Sequence, residues 1–453
     1  MVMAVAFQKF RHKGELEMLK MLKNPIIVFL IMLGVITSNV AAGGKQDGAS
    51  SGTGILPKLT VSALVGNPNG SEELAKSIYE KTFPGSIVEF ISTDTNSREQ
   101  VMKTAIAAGD PPAVGYYWGT RTNSFYNIGM NLDMKPYFDK AFLDKINSSM
   151  LEPGIGKNGE LFAIPVTTTY HTTYYNKDMM DKYGLKIPET WDDLTAIFKR
   201  VKQDGIFGFS TNSASMQDCL YGITYAELES KVGPGTSWGV ANGDISVAPG
   251  SPAGEVIRQC IEQVKAWYDA GYWYPGASAI NTTPDDANAG FAQERCILIF
   301  NFSGALNTHK NTCKFNIGAF MKPVSKAGLK SYENIEPNVY FIPSNASKAQ
   351  IAAAAEFIKI SLSQEVQQAN VDVVTIPAIT SYSYKNVDPT FQSVMNKLAE
   401  GNLIAGINPT RTSSEMQTFI KTQIFAAPCG GTMTIDQTLN EMERLRLAAR
   451  AAR

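Results

Sequence analysis

The side chains that usually carry catalysis or bind metal are sparse and scattered in this chain. Its three histidines, His12, His171 and His309, stand far apart, and no H-E-x-x-H or paired C-x-x-C spacing occurs. The five cysteines, Cys219, Cys260, Cys296, Cys313 and Cys429, are also dispersed. They read as small buried hydrophobes, with a Cys296–Cys313 bridge left open by spacing alone. One G-x-S-x-G match, Gly48-Ala49-Ser50-Ser51-Gly52, lies in a Gly/Ser-rich stretch without the strand and helix that a nucleophile elbow requires. Asp192-Asp193 reads as the acidic first turn of a helix. A different kind of chemistry is concentrated at three loop positions: Asn67 and Asn69, then Thr93 and Asp94, then Tyr116, Tyr117, Trp118 and Arg121. Aromatic rings offer flat apolar faces, and Asn, Asp and Arg offer directional hydrogen bonds. A sugar needs both, because its C–H faces are apolar and its rim is hydroxyls. The pattern points to binding without catalysis, and no cofactor is implied.

Those loops follow predicted strands. Residues 59–65 and 86–91 and Ala113–Trp118 read as short buried strands. Between them, Ser71 caps a helix over 72–82 and a second helix spans 97–108, stopped by Gly109-Asp110-Pro111-Pro112. Strand alternating with helix predicts a parallel sheet with helices on both faces, and ligands of such sheets bind beyond the carboxyl ends of the strands. A second α/β region follows. It has helices at 191–203 and 251–270, strands at 207–210, 296–300 and 315–320, and late helices at 348–362, 391–400 and 434–449. No fixed-period repeat is present, which excludes solenoids and propellers.

With 453 residues, 44% hydrophobic and 18% charged, the chain can bury a large core and form two or three domains. Its formal net charge of -1 argues against nucleic acid as a partner. The apolar run Pro25–Ile36 follows Lys20 and Lys23, precedes Val40-Ala41-Ala42, and is shorter than a membrane span. Residues 1–42 are therefore read as a signal-peptide region and 43–56 as a flexible tether.

Several segments together resemble a known family. Gly159-Glu160-Leu161-Phe162-Ala163-Ile164-Pro165 is followed by Tyr175-Asn176-Lys177-Asp178 and then by Pro188-Glu189-Thr190-Trp191-Asp192-Asp193-Leu194. Ala107-Ala108-Gly109-Asp110-Pro111-Pro112 and Phe291-Ala292-Gln293-Glu294-Arg295-Cys296 extend the pattern. This order resembles the extracellular solute-binding proteins of bacterial ABC sugar importers, the maltose-binding-protein-like family.

The resemblance implies a periplasmic-binding-protein-like fold, with two α/β lobes, a hinge and a ligand cleft between the lobes. Lobe one is expected at 57–164 plus 320–374 and lobe two at 165–319 plus 375–453. It also implies an exported monomeric receptor, at the cell surface or in the periplasm, that delivers a mono- or oligosaccharide to an ABC transporter permease. Membrane contact would run through that permease or through a lipid anchor, although the usual anchor cysteine is absent at Ala42-Gly43. The strand-end loops and the resemblance together give as expected ligand-binding residues Asn67, Asn69, Asp94, Tyr117, Trp118, Arg121, Thr169, Tyr170, Asn301, Ser303 and Tyr340. Gly304 and Thr418 stand where maltose-binding protein has stacking tryptophans, so the resemblance carries the fold and not maltodextrin specificity. Three alternatives remain open: the same fold holding a polyamine or phosphate ester, a sensor subunit, and a secreted glycoside hydrolase with two opposed carboxylates.

Overall fold

The computed structural model describes residues 58–64, 70–93, 97–156, 158–211, 217–241, 243–399, 403–405 and 414–451. The expected signal region and tether lie outside them.

The first half of the architecture is laid down by β1 (Leu59–Leu64), α1 (Gly70–Thr82), β2 (Val88–Thr93), α2 (Arg98–Ala108) and β3 (Gly115–Trp118). The helix α1 begins at Gly70, so Ser71 lies inside its first turn and is not the cap expected from sequence; Ser71 and Glu72 are both buried. As expected, α2 stops at Gly109, whose φ of +81° places it in the left-handed region that glycine enters without a Cβ penalty.

Next come β4 (Ile164–Asn176), α3 (Trp191–Lys202), β5 (Phe207–Thr211), α4 (Ile223–Lys231), α5 (Pro252–Asp269), β6 (Cys296–Phe302), α6 (Ala305–Thr312) and β7 (Ile317–Phe320). The chain closes with β8 (Glu333–Phe341), α7 (Lys348–Ser361), α8 (Gln364–Asp372), β9 (Ile376–Pro377), α9 (Pro389–Ala399), β10 (Leu403–Ala405), α10 (Ser414–Thr422) and α11 (Ile435–Ala451).

The sheet is mixed, which corrects the expectation of a parallel one. β1 and β2 pair in parallel, and a parallel bridge at Val61 and Val114 joins β1 to the entrance of β3. β3 then pairs antiparallel with β8, and β8 antiparallel with β4. A crossover helix makes sequential strands parallel. β8 instead arrives from far along the chain, so its direction is free to differ.

β4 belongs to two sheets. Its residues Ile164–Tyr170 pair with β8, and His171–Asn176 pair with β6 and β7. The change falls at Tyr170/His171, a few residues beyond the Ala163-Ile164-Pro165 boundary expected from sequence. One buried cluster packs Leu59, Val61, Tyr116, Ile335, Tyr340 and Phe357, and residues 376–395, expected with the second lobe, supply Ile376, Phe391 and Met395 to it. A second cluster packs α3, α4 and α5 against β5 and β6 and takes in Met416, Phe419 and Leu439.

The family-like segments are caps and latches. Asn176 Oδ1 accepts from Met179 N at 2.8 Å and starts a helix, and Asp178 holds Asn316 through its backbone N and Nδ2. Thr190 and Asp193 form a reciprocal capping box on α3, whose buried face is Leu194, Ile197, Phe198 and Val201. Trp191 Nε1 donates to Pro323 O at 3.0 Å, pinning α3 to the segment between β7 and β8. All five cysteines are free thiols, so no Cys296–Cys313 bridge forms.

That same segment carries a buried ion pair. Lys322 Nζ donates to Glu333 Oε2 at 2.8 Å and to His171 O at 2.6 Å, and Lys322 N donates to Glu333 Oε1 at 2.9 Å. Both side chains are almost wholly excluded from solvent, at 0% and 2% exposure. The ammonium thereby ties the point where β4 changes sheets to the start of β8.

Candidate functional site

Strand direction locates the site. β3 and the first half of β4 both run antiparallel to β8, so they run the same way, and β1 and β2 join them in that sense. Leu64, Thr93, Trp118 and Tyr170 therefore share one edge. In the second sheet Phe302 lies opposite His171, Thr211 opposite Phe300, and Phe320 opposite Thr173. The carboxyl ends of β5, β6 and β7 are thus directed back toward the same stretch of β4. Two sets of strand ends converge at Tyr170/His171, the place where open α/β sheets hold ligands.

At this edge Trp118 is half-buried and paired across the sheet with Asn338, whose Nδ2 donates to Thr167 Oγ1 at 3.0 Å. The Arg121 guanidinium lies 4.7 Å from the Trp118 ring centre, and that of Arg98 lies 5.7 Å from it and 5.0 Å from the Tyr116 ring. Arg98 is fully buried and its Nε donates to Thr93 Oγ1 at 3.1 Å. Such cation–ring contacts stabilise by about 0.5–2 kcal/mol each and hold the indole in one orientation.

Strand alternation sends the backbone positions of the three adjacent aromatics to alternate faces, although the Trp118 ring turns back to meet that of Tyr117. Tyr116 and Trp118 share one face with Tyr340, the directly paired residue on β8. Tyr117 turns to the opposite face, where its hydroxyl donates to Glu99 Oε2 at 2.7 Å and its ring meets Phe125. Burial raises the Glu99 carboxyl, but hydrogen bonds from Lys103 and Tyr117 outweigh it and hold the group below its ordinary range. Tyr117 therefore packs in the small core of α2, and the Trp118 ring packs against that same core, with the two ring centres 5.1 Å apart.

The remaining expected residues divide in the same way. Thr169 is half-buried beside the edge, and Asn67, Asn69 and Asp94 lie outside the described residues. Tyr170, Ser303 and Asn301 are buried. Tyr170 N donates to Ser303 Oγ at 3.2 Å, Ser303 N donates to Tyr170 O at 2.8 Å, and Tyr174 donates its hydroxyl proton to Ser303 O at 2.8 Å. Asn301 Nδ2 donates to Asn288 Oδ1 at 3.0 Å and faces His309 Nε2 at 3.4 Å. Burial pushes the His309 imidazole down to about 4, so it is neutral near pH 7. These polar groups lock β4 to the turn after β6.

Tyr340 is buried and meets Tyr116 edge-on, with ring centres 5.8 Å apart. Tyr116 stood among the strand-end aromatics read from sequence, whereas Arg98 beside it was not singled out, although it follows the carboxyl end of β2.

A model of the family described as bacterial extracellular solute-binding protein matches residues 74–393, most of the chain. The chain belongs to this family. Members are exported, and among the described residues no helix is long and apolar enough to cross a membrane. The multiple sugar-binding protein of Streptococcus mutans is 24% identical over 288 residues, covering 60% of this chain and 64% of that relative. The melibiose/raffinose/stachyose-binding protein of Bacillus subtilis is 30% identical over 110 residues, 24% of either chain. The chain thus spans less than two thirds of the length of these curated relatives. Among solved structures, a chitin oligosaccharide binding protein superposes with a TM-score of 0.72 at 18% identity, covering 88% of this chain and all of that one. A family 1 extracellular solute-binding protein from Bifidobacterium longum subsp. infantis also superposes at 0.72, with 17% identity over 86% of this chain and all of that one. These likenesses show that this solute-binding protein has the periplasmic-binding-protein-like α/β fold.

Proposed function

We propose that this solute-binding protein captures a mono- or oligosaccharide at the converging strand ends and delivers it, unchanged, to an ABC importer permease. The carrying observation is the edge itself: Trp118, steadied by Arg98 and Arg121, stands beside the Asn338–Thr167 polar pair at the meeting point of both sheets. It combines an aromatic face with directional hydrogen-bonding groups, as a sugar requires. The names of the relatives, which bind multiple sugars, raffinose-type sugars and chitin oligosaccharides, support the same reading.

In this reading two lobes meet along the central stretch of β4 and close by hinge motion around the sugar. The receptor acts as a monomer outside the cytoplasmic membrane, and its membrane partner is the permease. A thermal-shift and calorimetric screen of sugars tests the proposal. Ligand at a hundred times its Kd should raise stability by about 2.7 kcal/mol. Shifts confined to polyamines or phosphate esters, or hydrolysis of the sugar at enzyme-like rates, would overturn it.

A further inference from the structure

The turn that follows β3 carries an unbalanced charge to the binding edge. Gly119–Arg121 form one tight turn, closed by Thr122, whose Oγ1 donates to Trp118 O at 2.9 Å and whose N donates to Gly119 O at 3.3 Å. A Cβ added at Gly119 would stand 3.0 Å from Val339 Cγ1 and 3.3 Å from Pro337 O, so the turn lies close against β8. Arg121 thus projects from a fixed backbone, with its guanidinium 4.7 Å from the Trp118 ring centre.

Among the described residues the Arg121 Nε is buried without an acceptor, and the guanidinium enters no ion pair. Arg200, Arg258, Arg444 and Arg446, by contrast, each hold a carboxylate at 3.2 Å or less. Glu99, at the hydroxyl end of Tyr117, is already engaged by Lys103 at 2.6 Å and by that hydroxyl at 2.7 Å. Burial and Glu99 raise the Tyr117 phenol, and the Arg121 charge opposes the rise, so its field reaches these rings. A ring contact answers the face of a guanidinium and none of its five in-plane N–H donors. An N–H left without an acceptor costs about as much as a lost hydrogen bond, so the arrangement calls for an anionic acceptor on the occupant of the edge.

We propose that Arg121 receives a carboxylate borne by the sugar, so that this protein prefers uronate-containing saccharides to neutral ones. The inference rests on the carbohydrate reading above and adds the charge class of the ligand and the residue that selects it. A planar guanidinium matches a planar carboxylate through two parallel N–H···O bonds, which are shorter and stronger than bonds to a sugar hydroxyl. One guanidinium also balances the single charge of a carboxylate, whereas a phosphate monoester would be left about half compensated.

Calorimetry on the wild-type chain compares glucuronate with glucose, galacturonate with galactose, and trigalacturonate with its fully methyl-esterified form. In at least one series the acid should bind about tenfold or more tightly than its neutral counterpart, and added salt should weaken the acid alone. In Arg121→Gln the acid should lose about tenfold or more in affinity and the neutral sugar less than about threefold. Urea unfolding without ligand checks that this variant folds. Should it not fold, the wild-type comparison and its salt dependence decide the matter. Acids that bind no more tightly than their neutral counterparts in every series overturn the inference, and the carbohydrate reading then stands on the neutral sugars that bind. A folded Arg121→Gln that keeps the acid's affinity, or that loses acid and neutral sugar alike, also overturns it, as does binding of glucose 6-phosphate alone among the charged sugars. A wild-type chain that binds no sugar overturns the carbohydrate reading and this inference with it.

Discussion

Replacing Lys322 by Met removes the ammonium that joins the sheet-changing point of β4 to the start of β8. The substitution deletes two short hydrogen bonds, to Glu333 Oε2 and His171 O, and leaves the backbone bond from residue 322 to Glu333 Oε1. It also strands a carboxylate that is 2% exposed. Removing one partner of a buried pair costs about 3–5 kcal/mol, chiefly because the remaining charge stays desolvated. Burial already raises the Glu333 carboxyl, and the Lys322 charge and hydrogen bonds oppose that rise. Without Lys322 the folded-state pKa moves further above the unfolded value of about 4.3. Between those two values the folded chain binds more protons than the unfolded one, so stability falls as pH rises through the window. The deficit of Lys322→Met against wild type, read from urea unfolding, should therefore be larger at pH 8 than at pH 5. Lys322→Met/Glu333→Gln should recover much of it, because a neutral amide keeps the acceptor for the residue 322 backbone N–H. A deficit below about 1 kcal/mol at both pH values is what an exposed pair would give, and it would refute the argument.

Three further outcomes are expected. His309, held down at about 4 by burial, takes up a proton on unfolding, so its contribution is complete above about pH 6.5 and is lost toward pH 4, by about 3 kcal/mol in all. His309→Gln should flatten that slope in urea midpoints measured at pH 7 and pH 4.5, and an unaltered slope would count against a buried neutral imidazole. Trp118→Ala should weaken sugar binding by about 1–3 kcal/mol in calorimetry while unliganded stability changes little. Collapse of the unliganded melting temperature would instead show that the half-buried ring is core. Thr190→Ala, which removes the cap on α3, should cost about 1 kcal/mol in chemical unfolding, and a cost near zero would show that the capping box adds nothing.

The sequence alone determined what depends on neighbouring residues. Asp192-Asp193 in the first turn of α3 and Gly109 after α2 mark helix ends, because acidic first turns and left-handed stops are made within one turn. Alternating strand and helix from β1 to β3 was equally legible, and the ordered family-like segments carried the fold. Tertiary structure decided the rest. The antiparallel placement of β8 between β3 and β4 joins residues about two hundred positions apart, and no local periodicity encodes that choice. The same pairing puts Tyr116 opposite Tyr340 and turns Tyr117 away to Glu99. Lys322 and Glu333 read in sequence as two ordinary surface charges. Only the crossing of β4 and β8 buries them, and burial turns a weak surface pair into one that the fold must keep intact.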